Sequence, residues 1–299
     1  MQSKSFKRSK NLEIKKIAIF FNNKRGLKIT NYLKSKNYLV YNIITKKFIN
    51  KSILNSVKRE NTIFINNLNN KKLIFFLKKE KFDLFISAGF PHLFKKEFFS
   101  LSRHGIINLH AGRLPKYRGG SPLVWQIING EKTIGLSVIK IDQGIDTGKI
   151  ICETKFKNIK RYSINDVHHQ ANKKFVKLCS KAIKKIEKKT SFKKQPKSKS
   201  YFKQRSDEDA YINFNYPSSK VYDFVRAQTK PYKGAFFFNS KTKFRLHNCK
   251  IVKLSPKITT GKVFKFNNYN NYYIKCNNSS IKILKINPSI KKIKDLIIL

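Results

Sequence analysis

Residues 83–110, DLFISAGFPHLFKKEFFSLSRHGIINLH, decide the fold class. The stretch contains two short apolar runs, 83–88 and 105–110. Runs that are apolar throughout predict strands buried on both faces, as in a parallel sheet covered by helices. We also expect a helical segment before each of these strands.

The same alternation continues on either side of this stretch. Toward the N-terminus it predicts a strand at 15–22, a helix at 25–36 and a strand at 38–44. Toward the C-terminus it predicts a strand at 133–141 and a long helix at 164–189. Strands that alternate with helices indicate an open, mostly parallel, Rossmann-like α/β domain. In such sheets the ligand site lies at the carboxyl ends of the strands.

The second half of the chain has a different pattern. Residues 190–208, TSFKKQPKSKSYFKQRSDE, are polar and predict a linker. After a helical pattern at 218–228, short alternating runs indicate a small antiparallel sheet or open barrel. The sequence therefore predicts an α/β catalytic domain at 1–189, a linker at 190–208 and a β-rich domain at 209–299.

Composition restricts the class of protein without naming its function. There are 66 Lys and Arg against 16 Asp and Glu, a net charge of +50. The lysines are spread along the chain with abundant Asn, Ile, Phe and Tyr, so the charge fits genome composition better than a dedicated polyanion site. The four cysteines form no CxxC pair, and the apolar run after the basic N-terminus is too short for a signal peptide. We expect a cytoplasmic protein.

The residues that carry chemistry lie within 106–150. Asn108 and His110 end a strand and share one of its faces, and Asp142 and Asp146 follow the strand at 133–141. Acyl transfer to an amine needs a donor for the oxyanion and a group that moves a proton. Asn108 can donate and His110 can carry the proton, while Asp146 can orient the imidazole. The attacking amine makes a Ser or Cys nucleophile unnecessary.

Each motif alone has an ordinary structural explanation. An isolated Asn-x-His is more often structural, and the acidic loop 142–148 resembles a turn or a calcium loop. The loop is short of acidic ligands for calcium, and no second His or Cys lies near enough for another metal. We therefore expect no metal.

Together the motifs resemble the folate-dependent formyltransferase family. The resemblance rests on Asn108 and His110, on LPKYRG at 114–119 and on DTG at 146–148. RSDEDAYINF and VYDFVRAQTKPYKGAF, in the second half, resemble the entry into the C-terminal domain of methionyl-tRNA and sugar formyltransferases. The family's catalytic trio maps onto Asn108, His110 and Asp146.

The resemblance also implies a donor and its binding residues. The donor is 10-formyltetrahydrofolate, a cosubstrate whose pterin lies along 87–93 and 142–146 and is held largely by backbone groups. The predicted cofactor-binding residues are Ser87, Ala88, Gly89, Phe90, Leu93, Leu114, Pro115, Asp142 and Gly144. The predicted acceptor-binding residues are Tyr117, Arg118 and Trp125. We expect Tyr117 and Arg118 to be exposed, with Arg118 holding a phosphate of the acceptor.

The identity of the acceptor stays open between two classes. The segment around Trp125 and the PYKGAF element are similar to enzymes that formylate nucleotide-linked amino sugars. The Gly-Thr-Pro turn usual after the first strand of methionyl-tRNA formyltransferases is replaced by FNNK, and the interval 46–61 is short for their tRNA-binding loop. The high positive charge favours methionyl-tRNA. A formyltetrahydrofolate hydrolase and a non-catalytic RNA-binding protein are further alternatives, and the oligomeric state is not indicated.

Overall fold

The computed structural model describes residues 13–49, 51–57, 61–198, 200–267 and 269–299. The basic segment 1–12, for which the sequence predicts no signal peptide, lies outside these ranges. So do residues 50 and 58–60 of the interval 46–61. None of the helices in the described part combines the length and apolar character that crossing a bilayer requires.

The first half of the chain forms a seven-stranded sheet with helices between the strands. The strands are β1 (Lys16–Phe20), β2 (Leu39–Thr45), β3 (Thr62–Ile65), β4 (Leu84–Ser87), β5 (Ile106–His110), β6 (Thr133–Lys140) and β7 (Ile150–Lys157). The helices are α1 (Lys24–Lys34), α2 (Lys51–Leu54), α3 (Lys71–Glu80), α4 (Pro122–Ile128) and α5 (Ile164–Glu187).

The strand order is β3-β2-β1-β4-β5-β6-β7. The first five strands in this order run parallel, and β6 pairs antiparallel with β5. This confirms the predicted open, mostly parallel, Rossmann-like fold. All four residues of β4 are buried, as its continuous apolar run predicts. The segment before β5 contains one 3-10 turn, Lys96–Phe98, so the helix expected there is wrong.

A separate β-rich part follows helix α6 (Ser218–Arg226). Its strands are β8 (Ala235–Asn239), β9 (Thr242–Val252), β10 (Val263–Lys265), β11 (Tyr273–Lys275), β12 (Ser280–Asn287) and β13 (Leu296–Ile298). They form one sheet in the order β13-β10-β11-β12-β9-β8, antiparallel except for the pair β10–β13. The predicted β-rich second domain is confirmed.

Each half has its own hydrophobic core. In the first, Phe85 lies in an aromatic cluster with Phe20 and Phe82, at ring-centroid distances of 5.4 and 5.7 Å. In the second, Phe237 stacks on Phe244 at 5.7 Å among buried residues of the β-sheet and α6. Large buried aromatic side chains supply much of the apolar burial that stabilises each core.

Residue contacts divide the chain into two compact units that interleave in sequence. The first comprises Met1–Arg118, Gly135–Lys155 and Gln170–Tyr201. The second comprises Gly119–Ile134, Phe156–His169 and Phe202–Leu299. The limits predicted from sequence, 1–189, 190–208 and 209–299, remain our proposal for the domain boundaries.

Candidate active site

The three side chains predicted to be catalytic meet at the carboxyl end of β5. The Asn108 Nδ2 donates a hydrogen bond to Oδ1 of Asp146 over 3.1 Å. The His110 Nδ1 lies 3.3 Å from Oδ2 of the same carboxylate. The His110 and Asp146 side chains are only 5% and 12% exposed, so little water competes for their contact. One carboxylate thus contacts both members of the Asn-x-His pair.

The second ring nitrogen of His110 has a different partner. Its Nε2 lies 2.6 Å from the carbonyl oxygen of Tyr117. The Tyr117 carbonyl and the Asp146 carboxylate both only accept, so each ring nitrogen of His110 faces an acceptor. A neutral ring, with one N–H, can donate to only one of them at a time. The geometry suits general acid–base chemistry.

The loop 142–148 brings Asp146 to this position. The Asp142 Oδ1 accepts hydrogen bonds from the Gly144 N–H over 3.2 Å and from Thr147 Oγ1 over 2.6 Å. Asp146 has a φ of 54°, in the left-handed region. Gly148 packs so closely on the Lys140 carbonyl that a Cβ would overlap the oxygen. Asp142 therefore shapes the loop, and its predicted contact with folate stays a prediction.

The predicted folate segment lies beside the trio. Ser87 is the β-sheet neighbour of Asn108, because β4 and β5 pair in parallel with these two residues in register. Ala88 is fully buried, and the Gly89 carbonyl accepts a hydrogen bond from Asn23 Nδ2 over 3.2 Å. Beyond them, Leu93 is 72% exposed. Phe90, at 5.5 Å between ring centroids, contacts Phe20 of β1.

The loop after β5 differs from its prediction. Tyr117 is fully buried and Arg118 is 9% exposed, so the expectation that both side chains are exposed is wrong. Tyr117 contacts His110 through its backbone carbonyl. The side chain of Leu114 packs with Ile139 and Ile150, while Pro115 follows it through a cis peptide bond. These contacts hold the loop in place. The binding of folate by Leu114 and Pro115 and of the acceptor by Tyr117 and Arg118 stays a prediction.

Trp125 packs within the second unit. Its ring centroid lies 5.1 Å from that of Phe202 and 4.7 Å from the Arg205 guanidinium carbon. Its Nε1 donates to the Lys203 carbonyl over 3.2 Å. The indole is thus held by its own unit, and acceptor binding by Trp125 stays a prediction. No group of three or more potential metal ligands occurs in the described ranges.

Two family models match consecutive parts of this chain. The model described as "Formyl transferase" matches residues 8–183, and the model of the formyl transferase C-terminal domain matches residues 205–296. The chain belongs to the formyl transferase family. Membership confirms the resemblance drawn from the motifs, to a family of folate-dependent N-formyltransferases.

The curated proteins to which this chain is similar carry different names. The bifunctional polymyxin resistance protein ArnA of Wigglesworthia glossinidia brevipalpis is 31% identical over 238 residues, 77% of this chain and 35% of that protein. Methionyl-tRNA formyltransferase of Orientia tsutsugamushi (strain Boryong) is 31% identical over 204 residues, 68% of this chain and 66% of that protein. This chain thus spans about a third of the length of the ArnA protein and 66% of the length of the Orientia tsutsugamushi enzyme.

A solved structure shares the fold over nearly the whole chain. The N-formyltransferase of Helicobacter canadensis, in complex with folinic acid and dTDP-3-aminofucose, superimposes with a TM-score of 0.70 at 22% identity. The match covers 92% of this chain and all of that one. At this identity the likeness concerns the fold.

The sequence patterns did not predict two residues that contact the site of this family member. Arg25, at the start of α1, donates from Nη1 to the carbonyl of Leu109, between Asn108 and His110, over 2.9 Å. Gln195 hydrogen-bonds the backbone of the Asp146 loop. Neither lies in a recognisable motif, and Gln195 falls in the stretch interpreted as a linker. No local signal distinguishes either residue.

Proposed function

We propose that this chain transfers the formyl group of 10-formyltetrahydrofolate to a primary amine. The observation that carries the proposal is the contact of Asn108 and His110 with the single carboxylate of Asp146. The contact lies at the carboxyl end of β5, where open α/β sheets bind their ligands.

The proposed reaction begins when the amine nitrogen attacks the formyl carbon and forms a tetrahedral oxyanion. The Asn108 amide donates a hydrogen bond to that oxyanion, and this bond strengthens as negative charge develops on the oxygen. His110, with Asp146, accepts the proton that the amine loses. The bond between the formyl carbon and the folate nitrogen then breaks, and this nitrogen takes up a proton. The products are tetrahydrofolate and the N-formylated amine.

The residues around the trio fit a folate donor. Leu93 and Ile145 are 72% and 40% exposed, one in each segment predicted to contact the pterin. Exposed apolar side chains on site loops suit a planar aromatic ligand, which covers them on binding. The backbone groups of Ser87–Leu93 and Asp142–Asp146, together with Leu114 and Pro115, would hold it.

For the acceptor we propose a nucleotide-linked amino sugar. The sequence segments around Trp125 and 231–236 support this class, as does the absence of the Gly-Thr-Pro turn. Similarity of fold to the Helicobacter canadensis enzyme over all of that chain agrees with it. The four cysteines are buried and unpaired, which fits a cytoplasmic enzyme.

Methionyl-tRNA is the second candidate acceptor. It is supported by the net charge of +50, which attracts a polyanion, and by the 31% identity to the Orientia tsutsugamushi methionyl-tRNA formyltransferase. A tRNA acceptor bound through this charge would lose affinity steeply as salt rises, whereas a nucleotide sugar with two phosphates would lose far less.

The deciding experiment supplies labelled 10-formyltetrahydrofolate with methionyl-tRNA, with a nucleotide-linked amino sugar, or with no acceptor. Release of tetrahydrofolate and labelling of the acceptor are both followed, with His110→Ala as the control for background transfer. Label on the sugar alone supports the proposal, and label on the tRNA establishes the second candidate. Folate turnover without labelled acceptor would identify a hydrolase. No turnover with any acceptor would contradict formyl transfer.

A further inference from the structure

Gln195 makes four hydrogen bonds through its side-chain amide. Nε2 donates to the carbonyl of Asp146 over 2.8 Å and to that of Gly148 over 2.7 Å. Oε1 accepts from Nε and Nη2 of Arg118 over 3.2 and 2.9 Å. A primary amide has two N–H donors and one oxygen with two lone pairs, so the full capacity of Gln195 is used.

The orientation of this amide follows from its partners. Carbonyl oxygens only accept and a guanidinium only donates, so exchanging the nitrogen and oxygen would break every one of the four bonds. Arg118 is itself held, because its guanidinium also donates to the carbonyls of Pro196 and Ser198 over 3.4 and 3.3 Å. Gln195 therefore presents its N–H groups to the Asp146 loop from a fixed position.

The backbone next to Gln195 is anchored to the sheet. The Lys193 N–H donates to the Ile150 carbonyl over 3.0 Å, and the Ile150 N–H donates to the Lys193 carbonyl over 2.8 Å. These two hydrogen bonds are made at Ile150, the first residue of β7, immediately after the loop that ends at Gly148. They keep Gln195 beside that loop.

The loop needs such support because of its conformation. The backbone of Asp146 has a φ of 54°, in the left-handed region that is unfavourable for L-residues. Inside the loop, Asp142 accepts hydrogen bonds from the Gly144 N–H and from the Thr147 hydroxyl, and neither bond involves the carbonyls of Asp146 and Gly148. Gln195 donates to the carbonyls of Asp146 and Gly148, on either side of Thr147, and so joins this end of the loop to one side chain.

We infer that Gln195 is a positioning residue that holds the Asp146 carboxylate against Asn108 and His110. The inference rests on the proposed function, in which Asp146 acts with His110. Arg118, predicted to bind the acceptor, serves in this arrangement to orient the amide of Gln195. The residue acts through the loop backbone and touches none of the reacting atoms.

The test compares Gln195→Leu, which removes all four bonds, with Gln195→Glu, which keeps the acceptor for Arg118 but replaces the N–H donors by oxygen. Lys197→Ala, an exposed neighbour, is the matched control. Both Gln195 variants should lower kcat by about 10- to 100-fold with KM changed less than twofold, because the carboxylate is misplaced. If Gln195 served only to pair Arg118, Gln195→Glu would retain full kcat, and that result would overturn the inference.

A double-mutant cycle separates positioning from a general structural effect. In the D146N background, where the carboxylate is already lost, Gln195→Leu should cost less than about twofold in kcat. An undiminished loss in that background would show that Gln195 does not act through Asp146.

Hydrogen–deuterium exchange of 142–149 supplies a readout that is independent of activity. Exchange should accelerate by about tenfold in both Gln195 variants and stay unchanged in Lys197→Ala. Unchanged protection in the Gln195 variants would contradict the inference. If the wild-type chain transfers no formyl group, the proposed function fails by itself, and exchange still decides whether Gln195 holds the loop.

Discussion

Gly112 lies directly against the imidazole of His110. A Cβ at position 112 would overlap His110 Nε2 and would lie 2.6 Å from the carbonyl oxygen of Tyr117. The contact between Nε2 and that carbonyl thus depends on the absence of a side chain at position 112. Position 112 opens the segment Gly-Arg-Leu-Pro at 112–115, which directly follows Ala111 and β5.

We expect Gly112→Ser to lower kcat by about 10- to 100-fold, because the new Cβ displaces the imidazole. Arg113→Leu, at the next position, is the control, since Arg113 is exposed and its change should alter kcat less than about twofold. Steady-state kinetics of both variants checks this. A fully active Gly112→Ser would show that His110 works in a different orientation.

Removing the trio should abolish most turnover. His110→Ala and Asp146→Ala are each expected to lower kcat by about 10²- to 10⁴-fold, because proton transfer is lost. Asn108→Ala should lower kcat by about 10²- to 10³-fold, because the oxyanion loses a hydrogen-bond donor. Single-turnover formyl transfer measures the chemical step, and thermal unfolding verifies that each variant is folded. His169→Ala, at an exposed histidine of α5, should behave as wild type.

The second unit contains a buried ion pair whose loss should destabilise it. Nε of Arg226 lies 2.6 Å from Oδ1 of Asp223, both side chains are 5% exposed, and Nη2 of Arg226 donates to Asn158 over 3.0 Å. Arg226→Met should reduce the free energy of unfolding by about 3 kcal/mol, because it leaves buried acceptors without their donor. Urea denaturation measures the change.

Lys230→Met, at an exposed lysine beyond the end of α6, is the control and should change the free energy of unfolding by less than about 0.5 kcal/mol. Equal stability of Arg226→Met and wild type would contradict the structural role of the buried pair.

Asp207 should give the second unit a pH-dependent contribution to stability. Hydrogen bonds from Arg245, at 2.9 and 2.6 Å, lower the pKa of Asp207 from 3.8 to about 2. A carboxylate whose pKa is lower in the folded than in the unfolded chain stabilises the fold at pH values above its unfolded-state pKa. This stabilisation is lost as the pH falls toward 2. Asp207→Asn should therefore cost about 1 kcal/mol at pH 7 and almost nothing near pH 2.

The measurement is the difference in unfolding free energy between Asp207→Asn and wild type at several pH values between 7 and 2. A difference that stayed constant across this range would mean that Asp207 is not ionised and paired in the way the geometry indicates.

Local patterns predicted strands that are buried almost throughout. β1, β4 and β5 are mostly apolar, and all their residues except Lys16 and Asn108 are buried. β7 was missed as a separate strand, because only its first three residues are buried without interruption and the rest alternate with exposed ones. A strand with such a mixed pattern carries little local signal.

The sequence by itself determined the fold class and the family, and it placed Asn108, His110 and Asp146 as candidates, because strand period and motif spacing are local properties. Only the tertiary structure decided that Tyr117 and Arg118 are buried and that Gln195 binds the Asp146 loop. These contacts join residues such as Gln195 and Asp146, 49 positions apart. A hydrogen bond over that separation depends on how the chain packs, and no run of neighbouring residues encodes it.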